Sequence, residues 1–243
     1  MKRKRKIAVL DAACAQFPHI EKEKLLAMIY CREIDAAGER PADPRHPVDP
    51  ETVLEIISRQ YISRGGFKLA YALDAWNIDV TDLVMIDAGA SSGGFTDCLL
   101  QRGASRVHAV DVGYNQLDYT LRIDSRVSVW ERTNIMDVAP EMITADAAAA
   151  DLSFRSIRGA ASHILSLTKQ KWLIALIKPQ FEVHQDAQFK GVITDDTLRQ
   201  QVLDQVCQGL LEEHVAVKKI VPSPIRGRRG NVEYLALLEP EFT

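Results

Sequence analysis

The chain contains 243 residues, of which 47% are hydrophobic, and it carries a formal net charge of −3. It can therefore bury a sizeable core, and it lacks the basic excess of many nucleic-acid-binding proteins. No apolar run approaches the roughly 18 residues of a membrane-spanning helix, so we expect a soluble globular protein. The cysteines form no close pair, which argues against a disulfide framework or a zinc site and favours reduced thiols. They are Cys14, Cys31, Cys98 and Cys207.

The amino terminus opens with a basic stretch, Lys2–Lys6, which is followed by Asp11 rather than by the apolar segment of a signal peptide. We therefore expect a cytoplasmic protein. The stretch is a candidate RNA contact or, equally, a solvated tail. A second basic cluster, Arg226–Arg229, lies near the carboxyl terminus.

Residues 7 to about 57 form a separate region. Glu21–Cys31 is predicted to be a helix, because four apolar side chains from Leu25 to Ile29 recur at helical spacing. Arg32–Pro50 is polar and contains four prolines, which predicts a turn-rich segment with short strands. This pattern alone leaves open an accessory module or an extended arm packed on the rest of the chain.

A helix is predicted from Ser63 to about Trp76, with Gly65 and Gly66 at its start. Lys68 lies in its first turn, where the helix dipole disfavours a cation. Lys68 is therefore either a solvated surface residue or a residue with a specific partner elsewhere.

The chain is organised around Asp87–Asp97, a glycine-rich turn between a predicted strand ending at Ile86 and a helix starting near Phe95. In a parallel α/β sheet such a turn lies where ligands bind, and its glycines let backbone approach the ligand. The next strand ends at Asp111, 22 residues after Gly89. That spacing is close to the roughly 20 residues expected for an acid that binds a ribose hydroxyl.

The turn favours S-adenosylmethionine over NAD. Ser91 stands where a dinucleotide fold needs glycine, and Asp87 would repel pyrophosphate while suiting a cationic amino-acid group. A third strand, Val127–Trp130, ends near residues that could contact adenine. An ordinary turn without ligand remains the alternative. The predicted cofactor-binding residues are Asp87, Gly89, Ala90, Ser91, Ser92, Gly93, Gly94, Phe95, Asp111, Val112, Asn134 and Ile135.

Two further strands are predicted to end in charged residues. Asp146–Ala150 leads into Asp151, and Trp172–Ile177 leads into Lys178, where desolvation would favour a neutral amine. After a helix at 195–211 and a strand at 215–221, the last strand is predicted at Asn231–Leu238, with Glu233 near its start. If the last two strands pair antiparallel, Glu233 lies at the same sheet edge.

Lys68, Asp151, Lys178 and Glu233 would then share one edge beside the nucleoside pocket. Such a set suits deprotonation of a weakly acidic hydroxyl, because one lysine can take the proton while carboxylates orient it. Taken alone, Lys68 could be a solvated surface residue and Asp151 a helix-capping or turn residue.

Seven motifs, in order over residues 61–240, resemble the TlyA (haemolysin-A-like) proteins of the FtsJ-type RNA methyltransferase superfamily. The motifs are Ser63–Leu69, Asp87–Asp97, Ala109–Tyr114, Glu131–Ile135, Asp151–Phe154, Lys178–Glu182 and Gly230–Leu235.

The resemblance implies an α/β fold: a Rossmann-like methyltransferase domain with a mostly parallel seven-stranded sheet at residues 64–243. It also implies a small S4-like α+β RNA-binding domain at residues 1–57, joined by a linker at 58–63. The expected activity is S-adenosylmethionine-dependent methylation of ribose 2′-hydroxyls in ribosomal RNA. On this resemblance Lys68, Asp151, Lys178 and Glu233 match the catalytic tetrad, with Lys178 as the central base.

Two alternatives remain. The haemolysin name of the family implies a membrane-active protein, although the sequence contains neither a spanning helix nor a strongly amphipathic basic helix. A catalytically inactive RNA-binding scaffold is the other alternative, and the intact tetrad and glycine turn argue against it.

Overall fold

The computed structural model describes residues 6–30, 33–41, 43–57, 61–153, 155–182, 191–227 and 229–241. The chain divides into two compact units between residues 60 and 61, and each unit has its own hydrophobic core. Most of the predicted basic stretch Lys2–Lys6, and residues 58–60 of the predicted linker, lie outside the described residues.

The amino-terminal unit contains two helices and two small antiparallel sheets. Its elements are β1 (Ile7–Ala8), α1 (Val9–Gln16), α2 (Lys22–Tyr30), β2 (Ile34–Ala36), β3 (Pro47–Val48) and β4 (Leu54–Ile56). Helix α1 was not predicted, because Ala8 at its start cannot cap with its side chain and therefore gives no helix-start signal. The S4-like assignment of this unit stays a prediction.

The larger unit is built on a seven-stranded sheet with the strand order β10-β11-β9-β8-β5-β6-β7. Strands β5 to β9 run parallel to one another. Strand β11 lies between β9 and β10 and pairs antiparallel with both. The elements are α3 (Arg64–Trp76), β5 (Val84–Ala88), α4 (Gly94–Gln101), β6 (Arg106–Val110), α5 (Tyr119–Arg122), β7 (Val127–Trp130), β8 (Ala147–Ala150), α6 (Ala161–Ser166), β9 (Leu173–Ile177), α7 (Pro179–Glu182), α8 (Asp196–Glu212), β10 (Val215–Pro222) and β11 (Tyr234–Pro240). The predicted Rossmann-like, mostly parallel sheet is confirmed.

Both faces of this sheet are covered. Strand β8 consists of four alanines that are fully buried, and they alternate between two hydrophobic cores. Helices α6 and α8 contribute Ile164 and Leu210 to one core, and helices α3 and α4 contribute Leu69 and Leu99 to the other. Burial on both sides is typical of a central parallel strand and leaves only the strand ends free for chemistry.

Strand β11 runs opposite to the parallel strands, so its first residues lie at the edge where the parallel strands end. Tyr234 at the start of β11 pairs antiparallel with Pro222 at the end of β10, so the predicted antiparallel pairing of the last two strands is confirmed, and Tyr234 also pairs with Ile177 at the end of β9. The prediction that the strand begins at Asn231 was wrong. The Asn231 carbonyl instead accepts a hydrogen bond from the Gly227 amide at 2.8 Å, which makes a turn before the strand.

Candidate active site

Helices α3 and α4 approach each other closely at their first turns. A side chain at Gly94 would overlap the Ser63 hydroxyl, and one at Gly66 would lie 2.9 Å from the Gly94 carbonyl oxygen. The Ser63 hydroxyl accepts a hydrogen bond from the Gly65 amide at 3.3 Å and caps α3. The glycines thus allow the contact that brings Lys68, one turn into α3, to the edge of the sheet.

The glycine turn after β5 lies against the backbone that follows β8. Gly89 has a φ of +87°, and a Cβ there would lie 2.6 Å from the Asp151 carbonyl oxygen, so only glycine fits. The Asp111 carboxylate braces the turn from β6, accepting hydrogen bonds from the Ser91 amide at 2.8 Å and the Gly113 amide at 2.7 Å. The turn is therefore fixed on both sides.

A cavity of about 1120 Å³ opens between this turn and the ends of β8, β9 and β11. It is large enough for a nucleoside-sized ligand together with part of a second molecule. The four predicted catalytic residues line it with six of the predicted cofactor-binding residues. The lining includes Lys68, Asp151, Lys178, Glu233, Gly89, Ala90, Ser91, Ser92, Gly94 and Phe95.

The four charged residues form two ion pairs. The Lys178 Nζ lies 2.6 Å from Asp151 Oδ1 and donates a hydrogen bond to the Ser153 hydroxyl at 3.0 Å. The Lys68 Nζ lies 2.5 Å from Glu233 Oε2. Each lysine therefore has a carboxylate that can stabilise its positive charge.

The two pairs differ in their access to solvent. Lys68 and Glu233 are buried, with exposed fractions of 7% and 3%, whereas the Asp151 side chain is 25% exposed. The Glu233 partner explains why a cation occupies the first turn of α3 against the helix dipole. The more open Lys178–Asp151 pair is the one that a substrate hydroxyl could reach.

Asp87 lies behind the turn and is fully buried. Its Oδ2 accepts hydrogen bonds from the Thr96 amide at 2.8 Å and the Thr96 hydroxyl at 2.6 Å. Within the described part of the chain, its Oδ1 has no hydrogen-bond partner. Burial raises the pKa of the Asp87 carboxyl from 3.8 to about 7. An unsatisfied buried carboxylate oxygen is a group that a cationic ligand would stabilise.

The raised pKa of Asp87 makes the ligand-free protein less stable as pH increases. The folded protein holds the Asp87 proton more tightly than the unfolded chain, so stability present below pH 4 is lost as pH rises through about 7. The substitution Asp87→Asn keeps an acceptor for Thr96 and removes this titration. Relative to wild type, the variant is expected to gain about 1 to 4 kcal/mol between pH 4 and pH 7.5. Urea unfolding at several pH values measures this, and a difference that stays constant with pH would contradict it.

Six predicted cofactor-binding residues do not line the cavity. Asp87 is buried behind it, Asp111 braces the turn, and Gly93 lies under Leu117 and Leu121. The remaining three follow β6 and β7. Val112 is exposed, Asn134 caps a short 3-10 helix through a 3.1 Å hydrogen bond from the Met136 amide, and Ile135 is buried. Their predicted contacts with the cofactor stay predictions.

Six polar residues of the cavity wall were not predicted. Five belong to motifs from which other members were chosen: Ser63, Arg64, Ser153, Gln180 and Asn231. Their position beside the chosen residues could have indicated them. Ser153 accepts a hydrogen bond from Lys178, and Gln180 donates a hydrogen bond to Glu233 Oε1 at 3.4 Å. The sixth is Arg229. Arg229 belongs to the basic cluster near the carboxyl terminus, but nothing in its spacing indicated the cavity.

The larger unit matches a known family. A family model described as FtsJ-like methyltransferase matches residues 61–239. Hemolysin A of Brachyspira hyodysenteriae is 38% identical over 205 residues, which cover 82% of this chain and 85% of that protein. The 16S/23S rRNA (cytidine-2′-O)-methyltransferase TlyA of Mycobacterium tuberculosis H37Rv is 36% identical over 227 residues, covering 90% of this chain and 85% of that protein.

Solved structures agree in fold. A protein from Streptococcus thermophilus, named as a candidate hemolysin, superposes with a TM-score of 0.74 at 34% identity. The superposition covers 99% of this chain and 90% of the other. A protein from Listeria monocytogenes, named as a candidate S-adenosylmethionine-dependent methyltransferase, has a TM-score of 0.54 at 14% identity over 73% of this chain and 98% of that one. At that identity the likeness concerns the fold alone.

Proposed function

Since the chain belongs to the FtsJ-like methyltransferase family, we propose that it uses S-adenosylmethionine to methylate ribose 2′-hydroxyls of ribosomal RNA. The observation that carries the proposal is the Lys178–Asp151 pair, at 2.6 Å, in one cavity with the glycine turn and the Lys68–Glu233 pair. A base, its carboxylate and a nucleoside-sized pocket are the parts that methylation of a weakly acidic hydroxyl requires.

The residues present fit S-adenosylmethionine. When bound, it supplies an electrophilic methyl group on a positively charged sulfur. The turn from Gly89 to Gly94 offers backbone without intervening side chains, and Phe95 adds an apolar wall. Behind the turn, the unpartnered Oδ1 of Asp87 suits a cationic ligand. A cationic ligand would stabilise the ionised form of this carboxyl group, whereas a pyrophosphate would disfavour it.

Lys178 is the residue that accepts the proton from the ribose hydroxyl. It acts in its neutral form, in which the amine nitrogen has a free lone pair. As the proton moves from the hydroxyl oxygen to Nζ, an ammonium ion forms, and Asp151 Oδ1 stabilises it. The Ser153 hydroxyl, at 3.0 Å, helps to hold the side chain in place. The buried Lys68–Glu233 pair supplies a second fixed set of charges beside it.

The charges of the cavity support an RNA substrate although the chain as a whole is acidic. The tetrad contributes two positive and two negative residues, which cancel. Arg64 and Arg229 also line the cavity, and neither forms an ion pair with the residues that the structure describes. Unpaired arginines beside a nucleoside pocket suit phosphate groups of a polynucleotide.

Ribosomal RNA is proposed because the relatives from Mycobacterium tuberculosis and Campylobacter jejuni are named rRNA (cytidine-2′-O)-methyltransferases. A ribose can reach this recessed cavity only if its nucleotide is splayed from the helix, as in loops and junctions. RNA contacts by the S4-like unit and by the tail Lys2–Lys6, and a cytoplasmic location, belong to the same proposal.

The test is transfer of labelled methyl from S-adenosylmethionine to ribosomal RNA purified from cells that lack this gene. Digestion should leave the label in a nuclease-resistant dinucleotide, because a 2′-O-methyl group blocks cleavage of the adjacent phosphodiester. Label in a base would overturn the assignment to ribose. No incorporation into free RNA, subunits or whole ribosomes, with cofactor binding retained, would favour the scaffold alternative.

Membrane activity is the alternative that the name Hemolysin A suggests. Among the residues that the structure describes, no helix is long and apolar enough to cross a bilayer. Leakage of dye from liposomes on addition of the purified protein would favour this alternative, and intact liposomes alongside RNA methylation would argue against it.

A further inference from the structure

Glu182 is a buried acid that the proposed chemistry does not use. It ends α7, four residues after Lys178, its exposed fraction is 5%, and it does not line the cavity. Burial raises the pKa of its carboxyl. Burial of a carboxyl group costs free energy unless hydrogen bonds or a counter-charge offset it. The contacts of Glu182 therefore indicate its role.

Within the described part of the chain, the hydrogen bonds and the ion pair of Glu182 go to one loop, the segment that follows Asp151. Glu182 Oε1 accepts a hydrogen bond from the Ile157 amide at 2.9 Å, and Oε2 accepts one from the Ser156 hydroxyl. The Arg158 Nε lies 3.7 Å from Oε2. The Ser156 oxygen in turn accepts a hydrogen bond from the Arg158 amide at 3.0 Å. One carboxylate thus holds three consecutive residues.

The two segments that Glu182 joins are the ones that carry the proposed base and its carboxylate. The loop after β8 carries Asp151 and Ser153, and the segment after β9 carries Lys178 and then Glu182. The Lys178–Asp151 pair joins the segments at the cavity, and the Glu182 contacts join them a second time, away from it. Two joints between the segments restrict their relative movement far more than one.

We propose that Glu182 is a positioning residue that sets the separation of Lys178 from Asp151 and Ser153. The inference rests on the proposed function, because it assigns to Lys178 the proton that leaves the ribose hydroxyl. Glu182 touches neither the cavity nor the reacting groups, and it acts only through the loop that it holds. Displacement of a catalytic group by about 1 Å can cost 100-fold in rate.

The chain offers a matched control in Glu213. Its Oε2 accepts a hydrogen bond from the Gly159 amide at 2.7 Å, in the same loop, but Glu213 follows α8, and among the described residues no hydrogen bond or ion pair joins it to the Lys178 segment. The substitutions Glu182→Gln and Glu213→Gln remove one negative charge each while keeping the size of the side chain. Only the first should disturb the site.

In RNA methylation assays, Glu182→Gln is expected to lower kcat by about 10- to 100-fold and to leave KM for both substrates within about twofold. Its pH profile should also change, because the geometry of the Lys178–Asp151 pair depends on the loop that Glu182 holds. A purely structural role would reduce the folded fraction without moving that profile. Adding Ser156→Ala to Glu182→Gln should lower kcat little further, because both residues belong to the same Ser156–Glu182 hydrogen bond.

A second measurement needs no RNA substrate. NMR of isotope-labelled lysine side chains, with Lys178 assigned from the spectrum of Lys178→Ala, reports the surroundings of the Lys178 amine directly. We expect its resonances to move in Glu182→Gln and to stay in Glu213→Gln. Unmoved resonances would overturn the positioning role whether or not RNA is methylated. Shifted resonances without methylation by the wild type would keep the positioning role and reject the proposed function.

Discussion

Replacement of Lys178 by alanine is expected to lower the rate of methyl transfer by about 10²- to 10⁴-fold, the usual contribution of a general base. Cofactor affinity should stay within about twofold, because the turn that lines the pocket is built from other residues. The fold should tolerate the change, since the Asp151 side chain is 25% exposed and water can solvate it once its partner is gone. Single-turnover transfer of labelled methyl measures the rate, and calorimetry measures cofactor binding.

Lys169→Ala provides the control for this substitution. Lys169 also lies near an aspartate, with its Nζ 3.7 Å from Asp146 Oδ1, but it is exposed and away from the cavity. It should methylate at the wild-type rate. If Lys178→Ala matched that rate as well, another group would have to accept the proton and the catalytic assignment would be wrong.

Removal of Lys68 is expected to damage stability more than any other change in the tetrad. Lys68→Ala leaves the Glu233 carboxylate, which is 3% exposed, without its counter-charge. Breaking a buried ion pair in this way costs about 3 to 5 kcal/mol. Urea unfolding followed by tryptophan fluorescence suits the measurement, because the three tryptophans, Trp76, Trp130 and Trp172, all belong to the larger unit.

The double variant Lys68→Met with Glu233→Gln separates folding from chemistry. Both charges are then replaced by neutral side chains of similar size, so much of the lost stability should return. Methyl transfer should not return, because the fixed charges beside the substrate are still missing. A stable Lys68→Ala protein would show that Glu233 finds another partner, and an active double variant would remove this pair from the catalytic set.

The sheet could be predicted from the sequence because its strands are short apolar runs that end in polar residues. Strand β7 has the predicted bounds, and β5, β6, β8 and β9 differ by one or two residues. The same logic placed the tetrad at one edge, since the ends of parallel strands meet there. The position of Glu233 needed one further assumption, the antiparallel pairing of β10 with β11, which the register of Pro222 with Tyr234 confirms.

What could not be predicted depends on contacts between distant segments. The N-cap residues of helices α1 and α6 are Ala8 and Ala160. Because an alanine side chain cannot accept a capping hydrogen bond, the sequence does not mark where these helices begin. The sequence indicated the charge of Asp87 but not its contact with Thr96, which satisfies only one of its two oxygens. The joint between Glu182 and Ser156 depends on the packing of two loops, and no periodic pattern encodes such a contact.

The Lys68–Glu233 pair also has a consequence for how the protein is made. Its members are 165 positions apart in the chain, so the pair contributes one of the longest-range contacts of the fold and forms late if folding accompanies synthesis. A nascent chain that has already made the glycine turn still lacks the acid that neutralises Lys68. The proposed catalytic set is therefore incomplete until Glu233 has been synthesised, and a chain cut before this residue would carry the glycine turn without the buried pair.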